Sequence, residues 1–417
     1  MLTNAPKGTK DLLPAQAYKW HYVERKFAEI CKNYGFKEIR TPMFEHTEVF
    51  ARGIGDTTDV VQKEMYTFND HGNRSITLKP EGTSGAVRAF IEHKQYAEVQ
   101  PTKYYYDTDC FRYEKPQSGR LRHFHQFGIE VFGTPNMLAD SEVICLANDF
   151  LNQLGITEIE LRINSVGCPE CRKKHREALK EFLRPRYDEL CNTCKERYDR
   201  NPMRILDCKS EICQEIVKDA PRMLDYLCDD CKNAFEELKS NLTAMGIEYK
   251  VDPNIVRGLD YYTKTAFEFV TTSIGAQGTV CGGGRYDHLI EELGGPPIPG
   301  VCFGLGIERL LMLMDACGAQ FPADDSVDVF IAVMGERAKA FGLKLCRELR
   351  QSGVAAEMDT LARNIKGQFK YADRLNAKYT LVIGENELDK GVVSLKDMSM
   401  SQQREIKIED IFEEIVK

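Results

Sequence analysis

Eight of the 15 cysteines stand between residues 168 and 231 as four close pairs: Cys168/Cys171, Cys191/Cys194, Cys208/Cys213 and Cys228/Cys231. Thiols paired at that spacing leave a segment two ways to hold itself together, by disulfides or around metal ions. The redox compartment decides between them. Residues 1–8 lack the charged-then-apolar order of an export signal. No apolar run reaches the ~18–20 residues that span a bilayer; the stretch 298–314 is broken by Glu308 and Arg309. A cytoplasmic protein with reduced cysteines and no membrane partner is therefore expected. The expected metal sites are two zinc centres of four thiolates each, one from Cys168, Cys171, Cys228 and Cys231, which bracket the segment, the other from Cys191, Cys194, Cys208 and Cys213. Unliganded thiols in a helical insert are the alternative.

The chain has 417 residues, enough for two to four domains. Charge divides it: 167–250 holds 17 basic and 17 acidic side chains and 327–417 holds 15 of each, so the whole surplus of −8 lies in 1–166 and 251–326. That balance argues against a general nucleic-acid coat but leaves room for local basic surfaces. The expected organisation is an α+β catalytic body over 1–326, interrupted by a helical, Cys-rich insertion at 167–250, and a C-terminal α/β domain at 327–417. In the body, periodicity predicts helices at 18–34, 140–154 and 306–315, strands at 36–40, 104–109, 124–132, 158–163, 261–271 and 278–282, and a Gly-rich turn after the last. From 327 the pattern reads strand, helix (336–352), strand (354–358), helix (361–377) and strands at 379–383 and 391–396, the grammar of a small α/β unit.

Neither a G-x-x-x-x-G-K-[ST] loop nor a helix-opening G-x-G-x-x-G occurs, so neither common nucleotide fold is signalled. Arginines offer a different way to hold an anion. Arg112, Lys115, Arg120 and Arg122 face only Glu114 between 111 and 126, with His123 and His125 close by. In the strand that follows, alternation puts Phe127, Ile129 and Val131 on one face and Gln126, Gly128 and Glu130 on the other. Two polar groups flanking a glycine suit a small ligand lying on the sheet. Glu81, in Thr77-Leu-Lys-Pro-Glu-Gly-Thr83, can reach an amine. Three further segments set glycine beside arginine: Val256-Arg-Gly-Leu-Asp-Tyr-Tyr262, Cys281-Gly-Gly-Gly-Arg-Tyr-Asp287 and Phe303-Gly-Leu-Gly-Ile-Glu-Arg309. There backbone can approach a ligand while a cation reaches its phosphate.

Taken together, 77–83, the Phe-Arg-x-Glu at 111–114 and Gly304-Leu-Gly-Ile-Glu-Arg309 resemble motifs 2 and 3 of class II aminoacyl-tRNA synthetases, and 34–42 resembles motif 1 with Pro42 as its proline. Segments 256–262 and 283–287 resemble the two signatures peculiar to histidyl-tRNA synthetases, and Pro6-Lys-Gly-Thr-Lys-Asp-Leu-Leu-Pro14 is similar to that family's N-terminus. The resemblance implies an antiparallel sheet flanked by helices, a C-terminal anticodon-binding domain, and a homodimer joined through motif 1. It implies a histidine–tRNA ligase that uses ATP with Mg2+ to make histidyl-adenylate and then charges tRNA(His). Arg112 and Arg309 would hold the ATP phosphates with Arg120 from the loop, and Arg257 would stabilise charge at the α-phosphate. Glu81, Thr83 and Gln126 would position L-histidine, while Glu130, Tyr262 and Tyr286 would line its imidazole pocket. Two positions depart from the pattern: Lys79 replaces an arginine, and His288 follows Asp287 where glycine is usual. A paralogue, the non-catalytic histidine-binding regulatory subunit of ATP phosphoribosyltransferase, is the alternative; it usually lacks the C-terminal domain and is not expected to keep Arg257, Arg112 and Arg309 together.

Two basic surfaces complete the reading. At ~100° per residue, a helix at 361–377 would gather Arg363, Lys366, Lys370 and Arg374, with Lys378 beyond its end, into one stripe opposite Leu361, Ala362, Ile365, Phe369, Ala372 and Leu375. In a resembling synthetase that stripe would meet the tRNA backbone. Between 172 and 186 in the insertion, Arg172, Lys173, Lys174, Arg176, Lys180, Arg184 and Arg186 are set against only Glu177 and Glu181, and are candidates for the acceptor stem.

Overall fold

The computed structural model describes residues 3–55, 58, 60–208, 210–273, 278–322, 327–400 and 402–415. It forms two compact units, Met1–Phe321 and Pro322–Lys417. Residue 326, the expected end of the catalytic body, lies outside the described residues.

The first unit contains eleven strands among its described residues: β1 (Lys37–Glu38), β2 (Phe44–His46), β3 (Tyr66–Asn69), β4 (Ser75–Leu78), β5 (Thr102–Phe111), β6 (His123–Phe132), β7 (Glu160–Ser165), β8 (Lys250–Val251), β9 (Thr263–Val270), β10 (Thr279–Tyr286) and β11 (Gly300–Gly306). Eight of them make one sheet in the order β1-β5-β6-β11-β10-β9-β7-β8, and β2-β4-β3 form a small second sheet. Every pair from β5 to β7 is antiparallel; only the two-residue edge strands β1 and β8 run parallel to their neighbours.

One face of the sheet is the main core. Phe127, Ile129 and Val131 of β6 point into it, as their alternation requires. The helix Pro14–Asn33, which opens on a proline at its first turn, contributes Val23, Phe27 and Ile30. Phe27 stacks on Phe127 with ring centroids 4.3 Å apart. The helices Met137–Gln153 and Ile307–Ala316 close over the same face. So does Asp229–Ala244, the last helix of the segment 167–250, through Phe235, Leu238 and Leu242. The other helices of that segment surround a separate small core of Leu179, Leu183, Ile205, Ile216 and buried cysteines.

The opposite face carries a smaller cluster at one end, including Phe90, Phe132, Tyr286 and Leu289, and the candidate site at the other. One expectation fails on this face. The glycines that follow residue 282, Gly283 and Gly284, do not form the expected turn; they continue strand β10, and the chain pairs again through 300–306 as β11. A Cβ on Gly283 would stand 2.0 Å from the Cys302 carbonyl and one on Gly284 2.2 Å from that of Thr265. Glycine marks close approach of strands here rather than reversal.

The second unit holds β12 (Val329–Met334), β13 (Ala356–Met358), β14 (Tyr379–Gly384), β15 (Val392–Asp397) and β16 (Gln402–Lys407) in the order β13-β12-β14-β15-β16. The first three strands are parallel and the last two antiparallel. β16 was not expected: its burial pattern is exposed except for Ile406, so it has little alternation to read. The basic helix is shorter than the wheel assumed, running Ile365–Arg374 from the N-cap Asn364, whose side chain accepts from Gly367. Leu361 and Ala362 precede it and are exposed, with Ala362 at φ 53°. A left-handed residue cannot continue into a helix.

Candidate active site

Strand register builds the floor of the site. Tyr106 of β5 pairs with Gly128 of β6, Gly128 with Gly304 of β11, Gly304 with Gly282 of β10, and Gly282 with Glu268 of β9. Three adjacent strands thus present glycine in a single row. Side chains lie flat across it: a Cβ on Gly128 would meet the Tyr106 ring at 2.3 Å, one on Gly304 the Gln126 amide at 2.6 Å, and one on Gly282 the Arg257 guanidinium at 2.6 Å. The glycines make room for those three groups.

Glu81, Thr83, Arg112, Arg120, Gln126, Arg257, Tyr262 and Arg309 line one cavity above this floor. Glu81 is buried and accepts hydrogen bonds from the backbone N–H groups of Thr83 and Ser84 at 2.7 and 2.8 Å. It therefore caps the helix Thr83–Glu92 and faces its positive end. Gln126 accepts from the N–H of Gly82 at 3.0 Å, which leaves its amide nitrogen over the glycine row. Beneath them Glu130 is fully buried. Tyr106 donates to its Oε1 at 3.0 Å and Tyr286 to its Oε2. Burial pushes the Glu130 carboxyl up to about 8. Tyr286, also fully buried, and Glu130 do not line the open cavity, as Tyr262 and Cys302 do; the Tyr262 hydroxyl lies 3.7 Å from Cys302 Sγ.

The other end of the cavity is cationic. Arg112 donates to the Pro80 carbonyl at 2.8 Å, and Arg120 pairs with Glu114 at 3.0 Å. Arg309 donates to the carbonyls of Gly119 and Thr279 at 3.0 and 2.8 Å. Burial, reinforced by the neighbouring Arg120 charge, pulls the Arg309 guanidinium below its ordinary range. Such crowding of like charge is relieved by a polyanion. Arg257 pairs with Glu268 and lies over the Tyr262 ring at 5.3 Å, so its fork is aimed before any ligand arrives. His125 bridges the region: it pairs with Glu308 at 2.9 Å and Asp109 at 3.2 Å. Burial opposes its charge, but those carboxylates prevail and hold it up at about 10.

Several sequence expectations need revision. Arg285, read as a cation for phosphate, is fully buried and bound to Asp140, with further bonds to the carbonyls of Thr134 and Asn136. Its register puts it on the face away from the cavity, where it ties β10 to the helix Met137–Gln153. Arg363 is not on the basic helix; it pairs with Asp359 and stacks on Tyr371 at 4.2 Å. Lys366, Lys370 and Arg374 follow one another at helical spacing along Ile365–Arg374. Lys79 is buried against Thr41 at 3.3 Å and takes no part in the cavity. Tyr106, Glu268 and Cys302 were missed. Glu268 was detectable as a lone acid in an apolar strand, whereas the other two become visible only once β5 and β11 are paired with β6.

The eight cysteines fall into two sets, Cys168, Cys171, Cys228 and Cys231, and Cys191, Cys194, Cys208 and Cys213; within each set the sulfurs all lie within 4.8 Å of one another. Beside them a groove lined by Arg172, Lys173, Arg176, Arg200 and Arg204 reaches Arg257 and Tyr262. Among the described residues no helix is long and apolar enough to cross a membrane.

Comparisons with known proteins agree with this architecture. Residues 8–310 match the family model for histidyl-tRNA synthetase and residues 328–417 that for an anticodon binding domain. The chain is 60% identical over 411 residues to a histidine–tRNA ligase of Caldanaerobacter subterraneus subsp. tengcongensis, covering 99% of both chains. It is 54% identical to that of Acetivibrio thermocellus over 99% of both. The apo histidyl-tRNA synthetase structure from S. aureus superposes with a TM-score of 0.85 at 41% identity, over 99% of this chain and 100% of that one. An ATP phosphoribosyltransferase regulatory subunit/histidyl-tRNA synthetase from Bacillus halodurans, 19% identical with a TM-score of 0.65 over 92% and 98% of the two chains, shares the fold alone. By the full-length matches and by the two domains that they cover, the chain belongs to the histidyl-tRNA synthetase family.

Proposed function

We propose that this chain is a histidine–tRNA ligase: it activates L-histidine with ATP to histidyl-adenylate and pyrophosphate, then transfers the histidyl group to the 3′ terminal adenosine of tRNA(His). The observation that carries this reading is the union, in one cavity over a glycine floor, of three crowded arginines with the pre-aimed Arg257 and with Glu81, Gln126 and Tyr262. The full-length relatives at 54–60% identity carry the ligase name. They support the enzyme over a regulatory subunit.

Each residue then has a task. Arg112, Arg120 and Arg309 take the triphosphate, where planar guanidinium forks match phosphate oxygens. Glu114 and Glu308 line the same cavity and would offer oxygen donors to the Mg2+ that would accompany ATP and neutralise its phosphates. Arg257 stabilises the charge that builds on the α-phosphate as the histidine carboxylate attacks. Glu81, Thr83 and Gln126 receive the α-amino end. Glu130, Tyr262 and Tyr286 read the imidazole, since a pocket built of buried polar groups rejects side chains that leave them unpaired.

The C-terminal unit presents Lys366, Lys370 and Arg374 to the backbone of tRNA(His), and the groove at Arg172, Lys173 and Arg176 leads its acceptor end toward Arg257. The enzyme works as a cytoplasmic homodimer. The small sheet that follows motif 1 supports this, because Phe44, Phe68 and the preceding Met43 are exposed there, apolar side chains of the kind that a second subunit covers.

The test is histidine-dependent exchange of labelled pyrophosphate into ATP without tRNA. Exchange with histidine and no other amino acid is expected; none, in folded protein that binds histidine, would overturn the reading.

A further inference from the structure

The thiol clusters lie outside the catalytic chemistry, and their geometry is specific. Four thiolates held tetrahedrally at the ~2.3 Å of a zinc–sulfur bond stand about 3.8 Å from one another. Here Cys168 Sγ is 3.5 Å from Cys171 Sγ and 4.0 Å from Cys228 Sγ, and Cys191 Sγ is 3.8 Å from Cys208 Sγ. A disulfide would need about 2.05 Å. All eight cysteines are free.

Helix ends and backbone donors beside the clusters favour thiolates. Cys168, Cys191 and Cys228 are the N-caps of the helices Pro169–Leu183, Asn192–Arg200 and Asp229–Ala244, where a helix dipole lowers the cost of negative sulfur. In each of these pairs the second cysteine follows three residues on, so both thiols face the same way. Backbone N–H groups also donate to sulfur: Cys228 to Cys171 at 3.1 Å, Cys191 to Cys213 at 3.3 Å and Ser210 to Cys208 at 3.4 Å. Such outer bonds hold ligating sulfurs in place around a metal.

We infer that the insertion carries two structural zinc ions, one bound by Cys168, Cys171, Cys228 and Cys231 and the other by Cys191, Cys194, Cys208 and Cys213. Each site binds Zn2+ as four thiols release their protons to solvent; no electron is transferred. The first ion staples the start of the insertion to the helix Asp229–Ala244, whose Phe235, Leu238 and Leu242 sit in the main core. The second lies within the insertion's own small core. It also bears on the catalytic cavity. The chain between Cys194 and Cys208 carries Asn201, whose amide donates to Asp260 at 2.9 Å, and Arg204, which donates to the Arg257 carbonyl at 3.0 Å. Both partners belong to the segment that aims Arg257. This last link rests on the adenylation reading, whereas the metal sites do not.

Elemental analysis of the full chain purified without chelator should give two zinc and no iron per chain, with the eight thiols protected from a disulfide reagent until a strong chelator is added. Replacing zinc with Co2+ should produce the thiolate charge-transfer and intense d–d bands of tetrahedral sulfur coordination. C171S/C231S and C194S/C213S should each lose one metal, and only the second should depress pyrophosphate exchange by tenfold or more while histidine binding persists. No zinc with all eight thiols reactive, iron in place of zinc, or one zinc removed by only one of the two variants would overturn the two-site assignment. Two zinc ions in the unaltered chain, without any loss of exchange in folded C194S/C213S, would overturn the link to Arg257 and leave the sites standing.

Discussion

Tyr286 donates its phenol hydrogen to Glu130 from two strands away, across β11, while Tyr106 holds the other carboxylate oxygen from β5. Both oxygens of a fully buried acid are thus occupied before any ligand binds. Burial raises this carboxyl from an ordinary 4.5 to about 8, so the folded chain keeps a proton that the unfolded chain loses. Its contribution to stability is complete below about pH 4.5 and disappears as pH climbs through 8. Glu130→Gln should flatten that dependence, read as the urea midpoint at pH 6 and pH 8.5. It should also raise the KM for histidine by roughly tenfold or more, because the amide presents the pocket with the wrong donor pattern.

Arg257 depends on geometry as much as on charge. Lysine would keep the charge but lose the fork that grips Glu268 and lies over Gly282. Arg257→Lys should cut the rate of histidine-dependent pyrophosphate exchange by about 10²-fold. The KM for histidine should move far less, and kcat against KM in steady-state exchange separates the two effects.

The glycine row gives a paired test. In Gly304→Ala the new methyl meets first the movable Gln126 side chain, whereas in Gly283→Ala it meets the Cys302 carbonyl of the neighbouring strand. Gly304→Ala should therefore impair histidine use with a stability loss below about 1 kcal/mol, since a side chain can give way. Gly283→Ala should destabilise the fold by about 1–3 kcal/mol, as overpacking against backbone does. Thermal denaturation beside exchange kinetics distinguishes these outcomes.

Arg285 and Asp140 form a wholly buried ion pair. Removing one partner strands the other charge, so Arg285→Ala should cost about 3–5 kcal/mol in denaturant titration. A phosphate-binding role would instead raise the KM for ATP in protein of unaltered stability.

For the C-terminal unit, neutralising Lys366, Lys370 and Arg374 together should raise the KM for tRNA and weaken its salt dependence, leaving tRNA-independent exchange unchanged. Arg363→Ala should behave differently. It breaks the pair with Asp359 and the stack on Tyr371, so its effect should appear first as a lower melting temperature of that unit.

The residue string alone determined what depends on neighbours along the chain. Alternation in β6 separates the core face from the ligand face. The βαβ rhythm after residue 327 and the Gly-Arg and Phe-Arg-x-Glu strings are likewise local. Tertiary structure decided whatever depends on register between distant strands. Gly283 and Gly284, which follow residue 282, read locally as a turn, and only the pairing of β10 with β9 and β11 makes them a strand pressed against its neighbours. Arg285 and Arg257 look alike in sequence, each beside glycine, yet register buries one against Asp140 and aims the other into the cavity. Tyr106, Gly128, Gly304, Gly282 and Glu268 are scattered along the chain and share no motif. Hydrogen-bond register aligns them in one row, and side-chain periodicity, which reaches only a few residues along a strand, carries no record of that alignment.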